Sequence, residues 1–141
     1  MKLVDVLMGE PEKREFNFGG QKIVLRTLKQ SEMNEIMMRI PRADVTMLEL
    51  EKIPTLARSI VSINGIPVEM FEEVRELTEG EGKEKTHIAI EKVMSRWDTN
   101  TVTILYGIYI DFKEECYRKK EELKNSSASQ SAESSTESAK I

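Results

Sequence analysis

Apolar and polar positions alternate from Arg14 to Phe18, which puts Phe16 and Phe18 on one face. Gly19 and Gly20 follow, and the alternation resumes from Gln21 to Thr27 with Ile23 and Leu25 on one face and Val24 on the other. Two period-two runs joined by two residues that tolerate positive φ predict a β-hairpin with a type I′ turn. A lone hairpin is marginal in water, so its Phe, Ile and Leu face must rest on other elements. After Leu28 the period lengthens. Met33, Ile36, Met37 and Ile40 recur at helical spacing, and Pro41 closes that helix because the residue before a proline disfavours the α region.

The rest of the pattern is helical. Leu50, Ile53, Ala57 and Ile60 recur at intervals of three and four, with Met47, Leu56, Val61 and Ile63 widening the stripe. This predicts a core-facing helix capped by Asp44 or Thr46, kinked or split at Pro54, and stopped at Asn64-Gly65. Ile66 to Val68 reads as an extended connector, Glu69 to Leu77 as a short acidic helix, Glu79 to Lys83 as a loop, and Glu84 to Trp97 as a further helix. Asp98 to Asn100 breaks the pattern. Val102, Leu105, Tyr109, Phe112 and Cys116 then form a narrow stripe in a last helix from Thr101 to Leu123. Met1 to Met8 is apolar enough for a short helix, or else an edge strand, ended by Gly9 and Pro11. Residues 125–141 are almost all Ser, Ala, Glu, Gln and Thr, a composition that cannot bury enough apolar surface to offset ordering entropy. The expected architecture is α+β and mainly α-helical. An N-terminal β-hairpin packs on a helical bundle in one domain, residues 1–124, and a disordered Ser-rich C-terminal tail takes up residues 125–141.

Charge and chemistry narrow the function classes. Lys and Arg number 21 against 25 Asp and Glu, a net charge of -4, which argues against a nucleic-acid binder. Arg118-Lys119-Lys120 is the most basic cluster, and Glu114, Glu115, Glu121 and Glu122 cancel its field. The longest apolar run, Val102 to Ile110, is too short to span a membrane, and the N-terminus has no secretory pattern. His87 is the only histidine and has no second imidazole to share a metal, so a surface histidine is expected. Cys116 lies on the apolar stripe and reads as a buried structural thiol. Neither Gly19-Gly20 nor the Glu79 to Gly82 segment has phosphate-loop spacing. Adjacent acids such as Glu72-Glu73 diverge by about 100° on a helix and do not face one substrate. No enzyme, cofactor or metal is expected. Of the eight methionines, Met33, Met37, Met38 and Met47 lie close together, and Met38 falls beside the main stripe as a candidate exposed contact.

The residues FxFGGxKIVLRTLKxSExxEI, followed by SIVSINGIPV, resemble the small tail assembly chaperones of bacteriophages, encoded before the tape-measure protein. The matching features are Leu25-Arg26-Thr27-Leu28 at a strand end, Glu32 or Glu35 early in the next helix, Ile60 to Gly65 at a helix end, and a later helical pair. Thr27 departs from the pattern, where the family often has proline. The resemblance implies a non-enzymatic morphogenesis protein. It would coat the tape-measure protein and recruit tail-tube subunits in the host cytoplasm, and could self-associate. The alternative it implies is a structural tail or baseplate subunit of the virion. The conformable apolar surface such a role needs is expected on the helix from Gln30 to Ile40 and the stripe from Met47 to Ile63. The candidate partner-binding residues are Phe16, Phe18, Ile23, Leu25, Met33, Met37, Met38 and Met47.

Overall fold

A computed structural model describes residues 10–40 and 47–136. The short helix expected at Met1 to Met8 and the caps expected at Asp44 or Thr46 lie outside them. The chain divides into two compact units, Met1–Tyr109 and Ile110–Ile141.

In the first unit, strands β1 (Lys13–Phe18) and β2 (Gln21–Arg26) form the expected hairpin, in register from Lys13 opposite Arg26 to Phe18 opposite Gln21. Gly19 and Gly20 take φ of 57° and 83°, the pair of positive values that a type I′ turn requires. The open end is closed by Thr27. Its amide donates to the Glu12 carbonyl at 2.9 Å, and its hydroxyl accepts the Glu12 amide at 3.0 Å. A proline at this position would remove both bonds, since it has neither the amide hydrogen nor the hydroxyl.

Helix α1 (Gln30–Arg39) follows almost without a linker. Glu32 sets its start. Its carboxylate accepts the Lys29 amide at 2.9 Å, and two bonds of 2.8 and 2.6 Å from Arg26 tie the helix to the end of β2. Burial would raise the Glu32 pKa, but the bonds from Arg26 and Lys29 outweigh it and hold the carboxyl below its ordinary value.

Helix α2 (Met47–Ser59) continues through Pro54 rather than splitting there. The carbonyl that the proline leaves without an intrahelical donor belongs to Leu50, an exposed residue, so water can satisfy it. The expectation of a helix running on to Ile63 is corrected. The chain turns extended at Ile60 and forms strand β3 (Ile60–Ile63), which pairs antiparallel with β2. Ile23 opposes Ile63, Val24 opposes Ser62, and Leu25 opposes Ile60, which leaves Val61 as the extra residue of a β-bulge. Opposed residues share a face of the sheet, so the bulge lets Ile60 and Ile63 join Ile23 and Leu25 on the same side. A spacing of three residues with a helical look is here a bulged strand.

Asn64-Gly65 is a hairpin turn rather than a helix stop, with φ of 53° and 80°, and β4 (Ile66–Pro67) returns along β3. The sheet order is β1-β2-β3-β4, so the expected lone hairpin is half of a four-stranded antiparallel sheet. Asn64 fastens the two turns together. Its side-chain oxygen accepts the Lys22 amide at 2.9 Å, its own amide donates to the Lys22 carbonyl at 2.7 Å, and its side-chain nitrogen donates to Gln21. Asn64→Ala should cost about 1–2 kcal/mol, from a lost hydrogen bond and a left-handed backbone that alanine adopts poorly. Asn64→Gly should cost less, because it keeps the backbone and loses only the side-chain bonds. Urea denaturation of the two variants checks the ordering.

A 3-10 turn at Val68–Met70, α3 (Glu72–Glu79) and α4 (Thr86–Met94) follow, each shorter than or offset from the segments read from periodicity. Helix α5 starts at Thr99, where Asp98 accepts the Asn100 amide at 3.0 Å. The core of the unit joins Ile23, Leu25 and Ile60 of the sheet to Ile36, Leu56, Ala57, Ala89, Ile90, Met94, Leu105 and Tyr109 of the helices, all buried.

In the second unit α5 runs on to Thr136. Phe112 and Cys116 are buried, as the stripe predicts, while Leu123 in the same phase is exposed. Glu115 and Lys119 approach to 3.7 Å. The helix takes in residues 125–136, where composition predicts a tail, and no side chain there is a larger hydrophobe than alanine. Residues 137–141 lie outside the described residues.

Candidate interaction surface

The structure first disposes of the charged residues. Arg58, on α2, has a side chain only 3% exposed, and it reaches Glu35 of α1 at 3.0 Å, Glu91 of α4 at 2.9 Å and the Pro54 carbonyl at 3.0 Å. Arg39 of α1 also pairs with Glu91. His87 of α4, expected at the surface, is partly exposed and takes a partner there. It is half-buried, with Nε2 2.8 Å from a Glu35 oxygen, because α1 and α4 present their polar edges to each other. The bond from Arg58 holds the Glu35 carboxyl below its ordinary pKa. Beside these groups lies a depression of about 470 Å³ that also takes in Arg26, Glu32 and Thr86. Within it Arg26 pairs with Glu32, and Glu35 takes both Arg58 and His87. Its evident work is to hold α1, α2 and α4 together. The sequence shows Arg58 only as one charge among the apolar positions of α2. Nothing in the spacing points to Glu35 and Glu91 as its partners.

The apolar residues tell a different story. Two adjoining depressions of about 340 Å³ each meet at Ile63 and Trp97. One lies between α3 and α4, over Phe71, Val74, Val93 and Met94. The other lies between the tip of the β1–β2 hairpin and the start of α5, over Phe18, Ile23, Thr101 and Leu105. Together they make a groove whose walls come from the sheet and three helices. Phe18, Ile63, Phe71, Val93 and Trp97 are all half-buried, so each presents part of its apolar surface to the groove. The local reasons are plain. Direct pairing puts Ile63 on the same face as Ile23, and α4 ends at Met94, which leaves Trp97 in the short link to α5.

The residues singled out from the pattern are divided by the fold. Phe18 lines the groove, and Phe16 is half-buried on the same side of β1. Ile23 and Leu25 are core residues, 4% and 1% exposed, so their expected role as free partner contacts is corrected: the sheet buries the face that they share. The expected stripe is likewise core at Leu56 and Ala57 of α2 and at Ile60 of β3. Met33 is half-buried, while Met37 and Met38, on α1, are 45% and 87% exposed. The Met47 side chain lies outside the described residues. Ile63 falls within the expected Met47 to Ile63 surface, though as the end of a helix, while Trp97, Phe71 and Val93 are not among the residues expected to bind a partner. A lone tryptophan at the end of a helix was the one available signal. Among the described residues no helix is long and apolar enough to cross a membrane. No family model, curated protein or solved structure matches the chain.

Proposed function

We propose that the chain is a non-enzymatic protein of phage tail morphogenesis, a tail assembly chaperone that binds the tape-measure protein and tail-tube subunits in the host cytoplasm. One observation carries the reading: an open apolar groove centred on Ile63 and Trp97, in a protein whose α1–α2–α4 charges answer one another. An apolar groove with a polar rim is what a protein needs in order to cover the apolar face of a partner before assembly. The strand-end Arg26 and helix-start Glu32 that carry the family resemblance add support, because their ion pair ties the end of β2 to the start of α1.

The test is co-expression with the product of a long helical reading frame encoded immediately downstream. The chain is expected to keep that product soluble, to co-purify with it, and to be absent by mass spectrometry from finished particles. A partner that aggregates equally with and without the chain refutes the proposal. Presence of the chain in purified particles would assign it instead to the structural subunits of the tail or baseplate.

A further inference from the structure

Among the described residues, no strand pairs with the outer edge of β1. Bonded and unbonded pairs alternate along an antiparallel ladder. The bond from the Thr27 amide to the Glu12 carbonyl makes Glu12–Thr27 a bonded pair, so Arg14–Leu25, Phe16–Ile23 and Phe18–Gln21 are bonded too. The main-chain amides and carbonyls of Lys13, Glu15 and Asn17 therefore point away from β2, along the open edge. The opposite edge of the sheet offers no such ladder, since β4 is only Ile66–Pro67 and the proline has no amide hydrogen. Burial also falls off toward the open edge. Ile23 and Leu25 of β2 are buried, whereas Phe16 and Phe18, on the same face of β1, are only half-buried.

From this geometry we infer that β1 pairs with β1 of a second copy of the chain, antiparallel and centred on Phe16. The inference depends neither on the groove nor on the proposed function. It rests on the complementarity of the strand to itself. A closed pair is twofold, which makes the strands antiparallel and sets residues of the same face opposite one another. Each register is thus centred on one residue of the strand. Centred on Lys13, Arg14 or Glu15, a charge lies opposite its own copy, which destabilises the pair. Centred on Asn17 or Phe18, the pairing runs into Gly19 and Gly20, whose positive φ is not extended. Centred on Phe16, Glu15 lies opposite Asn17, Arg14 opposite Phe18 and Phe16 opposite Phe16, so no like charges meet. Aromatic pairs, and a cation beside an aromatic ring, are favourable neighbours across strands. Edge charges such as Lys13, Arg14 and Glu15 deter indiscriminate pairing, and here they leave one register open. In it the outward groups of Glu15 and Asn17 bond across the seam. The Phe16 side chains meet at an unbonded position, where opposed side chains lie closest. The two sheets become one, with β4-β3-β2-β1 running on into β1-β2-β3-β4 of the second copy.

Sedimentation equilibrium of the full chain is expected to show monomer in exchange with dimer. Glu15→Pro removes an outward amide and no bond to β2, so the hairpin is retained and the dissociation constant is expected to rise tenfold or more. Cysteine cross-linking at two exposed positions reads the register. Chains carrying Glu15→Cys and an affinity tag are mixed with untagged chains carrying Asn17→Cys, then oxidised. The mixed disulfide is expected to exceed either homodimer severalfold, because the Cα atoms of a bonded pair lie about 5.5 Å apart, within disulfide range. The wild type, whose one thiol is the buried Cys116, gives the background. A wild type that stays monomeric at about 1 mM overturns the pairing, as does a folded Glu15→Pro variant that dimerises as tightly as the wild type. A Glu15→Cys homodimer in excess of the mixed disulfide overturns the Phe16 centre. If circular dichroism shows Glu15→Pro unfolded, the cross-link decides, and absence of the mixed disulfide overturns the pairing.

Discussion

Arg58→Ala is expected to lower the stability of the fold by about 3–5 kcal/mol, the range seen when one partner of a buried ion pair is removed. The reason lies in what the substitution leaves behind. Arg58 is almost fully enclosed and donates to Glu35, Glu91 and the Pro54 carbonyl. Without it, Glu91, itself only 12% exposed, keeps Arg39 alone as a counter-charge, and the space left by the guanidinium is a void between α1, α2 and α4. Domains of this size are stable by about 5–15 kcal/mol, so the variant would lie near the edge of folding. A paired replacement separates charge from packing. Arg58→Met combined with Glu91→Leu removes both buried charges at similar volume and should cost far less than Arg58→Ala, because no carboxylate is stranded and the half-exposed Arg39 stays hydrated. Urea denaturation followed by circular dichroism measures both variants. A loss below about 1 kcal/mol for Arg58→Ala would show that the network does not hold the helices together.

Tyr109→Ala should be comparably severe, at about 3–5 kcal/mol, because a large aromatic ring 1% exposed is replaced by a methyl group. Tyr109→Phe isolates the hydroxyl. The phenol oxygen accepts the Leu28 amide, so its loss leaves a donor unmatched and should cost about 1 kcal/mol. The same residue sets the response to alkali. Burial pushes the Tyr109 pKa up to about 12, from an ordinary value of 10.0. Above pH 10 the unfolded chain loses this proton while the folded chain keeps it. The stability tied to the neutral phenol is thus fully present below pH 10 and is lost as pH rises through 12, by about 3 kcal/mol in all. Burial raises Tyr106 in the same direction, so Tyr109→Phe should flatten the decline without abolishing it. Chemical denaturation of the wild type and Tyr109→Phe between pH 9 and pH 12 checks the sign; a variant that declines as steeply as the wild type would show that Tyr109 does not carry the effect.

The amino-acid pattern alone determined the elements whose signals are local. The Gly19-Gly20 turn between alternating runs, the halt of α1 before Pro41, and the break at Asp98 before a stripe of five apolar residues are read within a few positions of chain, and each stands in the fold. Burial of Tyr109, Phe112 and Cys116 follows from the same stripe. The second hairpin shows the limit of such reading. Ile60 and Ile63 stand three apart in phase with the helix before them, and only pairing with β2, with Val61 bulged out, makes them a strand. That pairing also decided that Ile23 and Leu25 are core and that Asn64 is a staple rather than a cap. Tertiary packing alone could assemble the groove, since Phe18, Ile63, Phe71 and Trp97 come from separate elements and share no period. The same holds for Arg58, whose carboxylate partners lie on two other helices. Local periodicity records which face of an element is buried; which faces meet, and which apolar residues are left at the surface between them, depends on contacts between residues far apart in the chain.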